Sequence, residues 1–579
     1  MAVTPRGPTG IDWQPWVHTT FAAAERDRKP IFLNVCARWC HWCHEMDRVA
    51  LADPDVQEAL RSYVCLRVDA DERIDLAERY AEWGWPANII LTSKAQPWLE
   101  LRGYIEPERL TGILQEAAQP AGADAPRRLP TPPPPAVEPI AELRDHAVRQ
   151  LDEYYEPRRG GWGKFQKYPF PGPVEAALLR AGRGDAQALE QVRTTLDGML
   201  GLLDPVWGGC FQYSVDGRWD HPHTEKIAAI QAAALTSYTL GWRRTRDPAW
   251  RQAARGIRDY TLNWLLRDDG LFAASQEADA RAPDGSLVPG RKYYGKRDAA
   301  RRALGLPKLD ATPYADLNAL LVSALVLHSD ATGEPEGRDA AVRAMLRLRE
   351  THREANGAYR HAANPSPVYY LRDNAAVGRA LVALHNSTGE PSWLAEAERV
   401  ARALLDRFEA PGGGFFAHTA HYAAKGVFAR RRQPLEENGL AMCFLRELAW
   451  RTQDTALAHR AREAALRAAR ALGHPDRMAA EAQIIGQFLL GLEWLNLEPE
   501  RVVLVGDDER LRAAALALDA PALVVQEDES YPRWPKPAAY VCRGTRCSRP
   551  VTEPNEVLPA WRRLAEEAAP LPLPTVPRA

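Results

Sequence analysis

Two cysteines separated by two residues, Cys40 and Cys43, are the pair in this 579-residue chain whose spacing most directly suggests chemistry. They stand in KPIFLNVCARWCHWCHEM, residues 29–46, after a run of strand formers at 31–35 and before residues that can continue as a helix. The pair therefore falls on a first helical turn, where unpaired N–H groups and the positive end of the helix dipole favour a thiolate. Cys40 is the expected nucleophile, and Cys43, one turn on, is placed to resolve a mixed disulfide.

Cys40-His41-Trp42-Cys43-His44 also spells the C-x-x-C-H pattern of haem attachment. A strand precedes it, and no basic start with an apolar core does, which weighs against haem. Zinc on the two thiols and a histidine is chemically open, but no second C-x-x-C or H-x-x-H cluster lies nearby. Two inert buried thiols are the plainest alternative. Context favours a redox dithiol, with no metal or cofactor expected.

The elements that must position the dithiol follow in order. Residues 64–69 read as a second strand, 74–82 as a helix, and 87–91 as a third apolar run after Trp85-Pro86. With a further strand through 99–103 and a helix from Pro107, residues 1–118 resemble thioredoxin. The resemblance implies a cis peptide at Pro86. It also implies that an extended protein thiol or disulfide would lie against Trp39, Trp85 and Pro86. Asn34 stands where thioredoxins carry a buried aspartate, so proton transfer at Cys43 needs another group, and His41 or His44 is available.

A net charge of −2 gives no reason to expect nucleic acid or an anionic membrane. The start MAVTPRGPTG has no export pattern and no segment reaches the length of a membrane span, so a reducing cytoplasm is expected. Cys36, Cys65, Cys210 and Cys443 read as core residues.

Residues 119–138 are Ala-, Pro- and Arg-rich and read as an extended linker that lets the dithiol face the next domain or swing away. From 139 to 497 the pattern is almost wholly helical, with twelve candidate helices, one of them spanning 224–245. Between alternate helices recurs a Gly-then-aromatic loop: Gly160-Gly161-Trp162, Gly208-Gly209-Cys210-Phe211, Asp269-Gly270-Leu271-Phe272, Asn356-Gly357-Ala358-Tyr359 and Gly413-Gly414-Phe415. Such repetition predicts helix pairs around an axis, an (α/α)6 toroid, with the aromatics either facing a central cavity or plugging the barrel end.

The most polar loop, 206–226, concentrates Tyr213, Asp216, His223, Glu225 and Lys226 before a helix. Histidine and carboxylate at a cavity mouth suit proton abstraction, so His223 and Glu225 are candidate catalytic groups, with Tyr213, Asp216 and Lys226 as ligand-binding ones. Asp279, in the polar run 275–279, and Asn318 are expected to face the same pocket. The structural alternative is that Glu225 and Lys226 cap the helix.

With dithiol, linker and loops in view, the chain resembles the YyaL-like, spermatogenesis-associated thioredoxin-domain family. The resemblance rests on CHWCHEM, GWPANIILT, GGCFQYSVDGRW with HPHTEK, SQEAD, and GGGFF. It implies a thioredoxin-like unit before a barrel similar to sugar 2-epimerases, binding a carbohydrate-like or other polar small molecule. Gln212, Thr224, Ile230-Gln231 and Leu317 depart from the family pattern, which leaves oxidoreductase, epimerase and redox-sensing scaffold as competing readings.

Residues 498–579 read as a small α/β appendage, with short strands at 502–505 and 523–525 around a helix. Gly506-Asp507-Asp508 lacks G-x-G-x-x-G, so no nucleotide is expected. Cys542 and Cys547 make a poor zinc site, and packing is favoured over a disulfide.

Overall fold

The structure is a computed structural model, and it describes residues 7–80, 84–118, 133–364, 366–421 and 423–567. Most of the expected linker, 119–132, and Glu82 at the end of the expected helix lie outside these residues.

The N-terminal unit is built on a sheet of five described strands: β1 (Trp13–Gln14), β2 (Ile31–Cys36), β3 (Val64–Asp69), β4 (Ala87–Leu91) and β5 (Pro97–Arg102). Their order is β1-β3-β2-β4-β5, with β1, β3 and β2 parallel and β4 and β5 antiparallel. All six residues of β2 are buried, which is why this central strand reads as an apolar run interrupted only by Asn34. The two-residue edge strand β1 is too short for alternation to reveal; the sequence showed only packing residues there. The helix following β2 begins at His41, and the Trp85–Pro86 peptide is cis.

Among the described residues of the second unit, six helices form a closed inner ring. In ring order they are Pro171–Gly182, Ala228–Thr245, Ala315–Thr332, Leu371–Thr388, Leu435–Ala449 and Gly486–Asn496. Each pairs with an outer helix: Ile140–Asp152, Ala186–Met199, Pro248–Tyr260, Glu336–His352, Pro391–Arg407 and Thr455–Leu472. This is the expected (α/α)6 toroid. Inner helices are apolar almost all round because they pack on both sides. Two of them stop at left-handed glycines, Gly333 and Gly389, and outer helices start on the aspartate caps Asp185, Asp247 and Asp454.

The recurring loops carry their glycines at positive φ, as expected, including Gly208 at 74° and Gly209 at 79°. Their aromatics are not cavity walls: Trp162, Phe211, Phe272, Tyr359 and Phe415 are all buried in the helical core. An amide on the next inner helix fastens each of four loops. Gln231 holds both backbone groups of Cys210, Asn318 those of Phe272, Asn374 those of Tyr359, and Asn438 those of Phe415. Each amide also donates to the carbonyl four residues earlier in the chain.

The helix expected from Thr224 starts at Ala228, because Lys226–Ile227 is a strand paired antiparallel with Ser275–Gln276. Leu309–Asp310 completes that three-stranded ladder. Two short helices, Gly290–Tyr294 and Asp298–Ala303, lie in the connection before the inner helix Ala315–Thr332.

In the C-terminal unit Glu500–Val505 pairs parallel with Leu523–Glu527 and antiparallel with Ala538–Arg543. Cys542 and Cys547 are opposite each other in the next ladder and are disulfide-bonded. The expectation of simple packing is therefore corrected: register brings the two thiols face to face.

One apolar cluster runs through the N-terminal unit and the barrel. Trp16 and Phe21 of the first pack with Phe428 of the second, the Trp16 and Phe428 rings lying 4.9 Å apart, and Ile227, Ala423 and Val427 join them. Val427 N–H donates to the Ala95 carbonyl at 3.0 Å. At neighbouring Gly426 (φ 53°) a Cβ would lie 2.2 Å from that carbonyl oxygen. The dithiol thus faces the barrel in this structure.

Candidate functional site

Cys40 is the N-cap of its helix, and its Sγ accepts the Cys43 N–H at 3.2 Å. The two sulfurs stand one turn apart, as the spacing predicted. Both residues are buried, at 4% and 2% exposure. Burial, then the hydrogen bond and charge of Cys40, push the Cys43 thiol well up. Arg67, the register partner of Asn34 on β3 and ion-paired with Asp47 at 2.7 Å, acts in the opposite direction. Asn34 itself donates to Asn88 Oδ1 at 2.8 Å and offers no acid.

The residue between the cysteines that matters most is His41. Its backbone N–H donates to Glu225 Oε1 at 3.2 Å, and its Nδ1 lies 2.6 Å from Asp279 Oδ2. These acids sit on the barrel, 184 and 238 residues away, and no local pattern announces them. The ladder between Lys226–Ile227 and Ser275–Gln276 is what brings the two loops side by side. The Asp279 hydrogen bond raises the His41 imidazole above its ordinary value. Burial raises Glu225 to about 7, and its Oε2 is buried with no hydrogen-bond partner among the described residues. His44 is lowered, chiefly by burial.

Tyr213 is stacked between Tyr168 and His223, with ring centroids 4.6 and 4.2 Å away. Burial and the nearby His41 lower His223 to about 4, leaving a neutral imidazole at pH 7.

Other expected site residues lie elsewhere. Lys226 is fully buried, donating to Asp204 Oδ2 at 2.7 Å and the Gly208 carbonyl at 2.8 Å, and Arg301 grips the same aspartate. Its role is to brace the fold, which corrects the expectation of ligand binding. Asp216 sits at an exposed left-handed turn beside His221. Asn318 is one of the loop clamps, not a cavity wall. Trp39 is buried, its Nε1 bonded to Asp71 Oδ2 at 2.8 Å. Trp85 lines a cavity of about 430 Å³ between the two units, together with Asp71, Glu78, Leu317, Arg372 and Glu437.

One cluster was not foreseen. Asp316, His361 and Asp373 offer metal-ligand atoms within 4.8 Å of one another. His361 Nδ1 contacts Asp373 at 2.9 Å and its Nε2 the Asp71 carbonyl at 2.6 Å, across the junction. Burial works against its charge, yet Asp373 and Asp316 raise it to about 9. Asp316 Oδ2 is also paired with Arg372 Nε at 2.8 Å, so the histidine and both carboxylates already have partners within the protein.

No helix among the described residues is long and apolar enough to cross a membrane. Residues 6–116 match the family profile Thioredox_DsbH, described as a protein of unknown function, DUF255. The chain is 27% identical over 333 residues to Spermatogenesis-associated protein 20 of Mus musculus, spanning 49% of this chain and 41% of that protein, less than half of its length. Over 103 residues it is 35% identical to the thiol:disulfide interchange protein DsbD 1 of Pseudomonas aeruginosa, 17% of each chain. Among solved structures, a sugar epimerase from a ruminal bacterium aligns with a TM-score of 0.44 at 12% identity, over 56% of this chain and 85% of that one.

Proposed function

We propose that this chain, whose residues 6–116 match the DsbH-type DUF255 thioredoxin-like profile, is a thiol–disulfide oxidoreductase acting on partners admitted between its N-terminal unit and the barrel. The carrying observation is the geometry of Cys40 at the helix N-cap with Cys43 one turn on. The similarity to proteins named for thiol:disulfide interchange supports it.

The Cys40 thiolate attacks one sulfur of a protein or small disulfide, forming a mixed disulfide and expelling the other sulfur as a thiolate. The Cys43 thiolate then attacks Cys40 Sγ, releasing the second partner thiolate and closing the Cys40–Cys43 disulfide. The partner gains two electrons and two protons, and a thiol reductant restores the dithiol. Asn34 cannot take the proton that a buried aspartate would, and we assign that task to Glu225, which accepts the backbone N–H of His41 between the two cysteines. A reducing cytoplasm is the proposed setting for the free dithiol.

Cys43→Ser should accumulate mixed disulfides on Cys40 with a reporter disulfide such as insulin, while Cys40→Ser accumulates none. Equal trapping by both variants, or none alongside an inactive wild type, would exclude the reading.

A second reading rests on the half-buried Tyr213–His223 stack, a face on which a sugar ring could lie with His223 or Glu225 as acid or base. Solvent deuterium entering a sugar carbon in wild type, and not in His223→Ala or Glu225→Gln, would establish it.

A further inference from the structure

The barrel encloses a lumen of about 460 Å³, a size that holds a small organic molecule. In the inner helices Ala228–Thr245 and Ala315–Thr332, nearly every residue is fully buried except along one stripe. Ile230, Ala233 and Leu240 form that stripe on the first helix, and Leu320, Ser323 and Leu327 on the second. These side chains keep residual exposure because they face the lumen. Val382, Ala383, Leu440 and Leu490 continue the aliphatic wall.

A sugar needs a hydroxyl partner at nearly every carbon, and between its ends the stripe on these first two helices offers only Thr236 and Ser323. Elsewhere on the wall Glu175 and the Arg379–Glu447 ion pair, 3.0 Å long, also reach the lumen, and the remaining charged groups gather toward its ends. At the dithiol end are Arg372, Glu436 and Glu437, which also line the cavity between the units. Glu437 is 6% exposed, and its Oε2 has no hydrogen-bond partner among the described residues. At the far end Asp519 of the C-terminal unit meets Arg243 and Arg244.

We propose that the lumen binds an elongated amphipathic molecule, its aliphatic chain along the stripe of Ala228–Thr245 and Ala315–Thr332 and its hydrogen-bonding head at Arg372 and Glu437. This stands independently of the redox reading, since it rests on the wall and not on the cysteines.

The test titrates dansyl-undecanoic acid into the full reduced chain and follows its fluorescence, with displacement by octanoate, decanoate and dodecanoate. Affinity should rise about fourfold per added methylene, the increment for burying one CH₂. Ser323→Phe, which fills the lumen, should weaken binding at least tenfold while Cys40 trapping is unchanged. Decanol and decylamine in place of decanoate report the head group. Chain-length-independent displacement, no binding of any chain, or displacement by mannose or cellobiose at equal concentration would overturn the proposal. The chain-length series uses wild type alone, so it decides the matter even if the variant misfolds.

Discussion

Glu225 is a carboxyl group whose charge the folded chain disfavours. Burial raises it from 4.5 to about 7, so between these values the folded state holds a proton that the unfolded state releases. Stability must therefore fall as pH rises from about 4.5 to 7 and change no further from this source, by up to about 3 kcal/mol. Glu225→Gln retains an acceptor for the His41 N–H and removes the titration. Its urea midpoint should match wild type at pH 4 and exceed it at pH 8, while disulfide exchange slows. Identical midpoints at both pH values would contradict this account. Lys226 presents the opposite case. Lys226→Met leaves Asp204 with Arg301 and the Val206 N–H, and removes the bond to the Gly208 carbonyl. A loss on the order of 3 kcal/mol is expected, with Cys40 trapping preserved in whatever fraction remains folded.

At the scale of elements, the amide clamps make the repeat a mechanical device. Replacing Asn318, Asn374 or Asn438 by alanine strands two backbone groups of a buried loop residue. Each change should lower stability by roughly 2–4 kcal/mol in denaturant unfolding, and Asn→Asp, which keeps the acceptor, should cost less than Asn→Ala. The helices and the dithiol turn were legible because their signals are local: periodicity, caps, and four consecutive residues from Cys40 to Cys43. The clamps were not, since Asn318 and Phe272 are 46 residues apart and an asparagine on an inner helix looks equally suited to a ligand. Lys226 misled for the same reason, its partner Asp204 lying 22 residues upstream behind a glycine loop. The Glu225–His41–Asp279 meeting depends on strands only two residues long, below the length at which alternation can be seen.

Across the whole molecule, His361 ties the barrel to the N-terminal unit through the Asp71 carbonyl. Only an imidazolium can donate at once to that carbonyl and to the Asp373 carboxylate. Its folded value of about 9 lies above the unfolded 6.5. The stabilisation is thus complete below about 6.5 and disappears as pH rises through 9, about 3 kcal/mol in all. Amide exchange of residues 70–76 should accelerate across that window in wild type and be fast throughout in His361→Gln. A flat profile in wild type would remove His361 from the junction's energetics.

The apolar cluster shared by Trp16, Phe21 and Phe428 also sets a timetable. During synthesis the N-terminal unit is complete about 300 residues before Phe428 is made, which at 5–20 residues per second is roughly 15–60 s. For that interval the face that will carry the dithiol is an uncovered oily surface on a nascent chain. Residues 7–118 released alone should aggregate or be retained by a chaperone, and co-expressing the rest of the chain should rescue them. The barrel is in this sense the second half of a fold that the ribosome begins long before it can be finished.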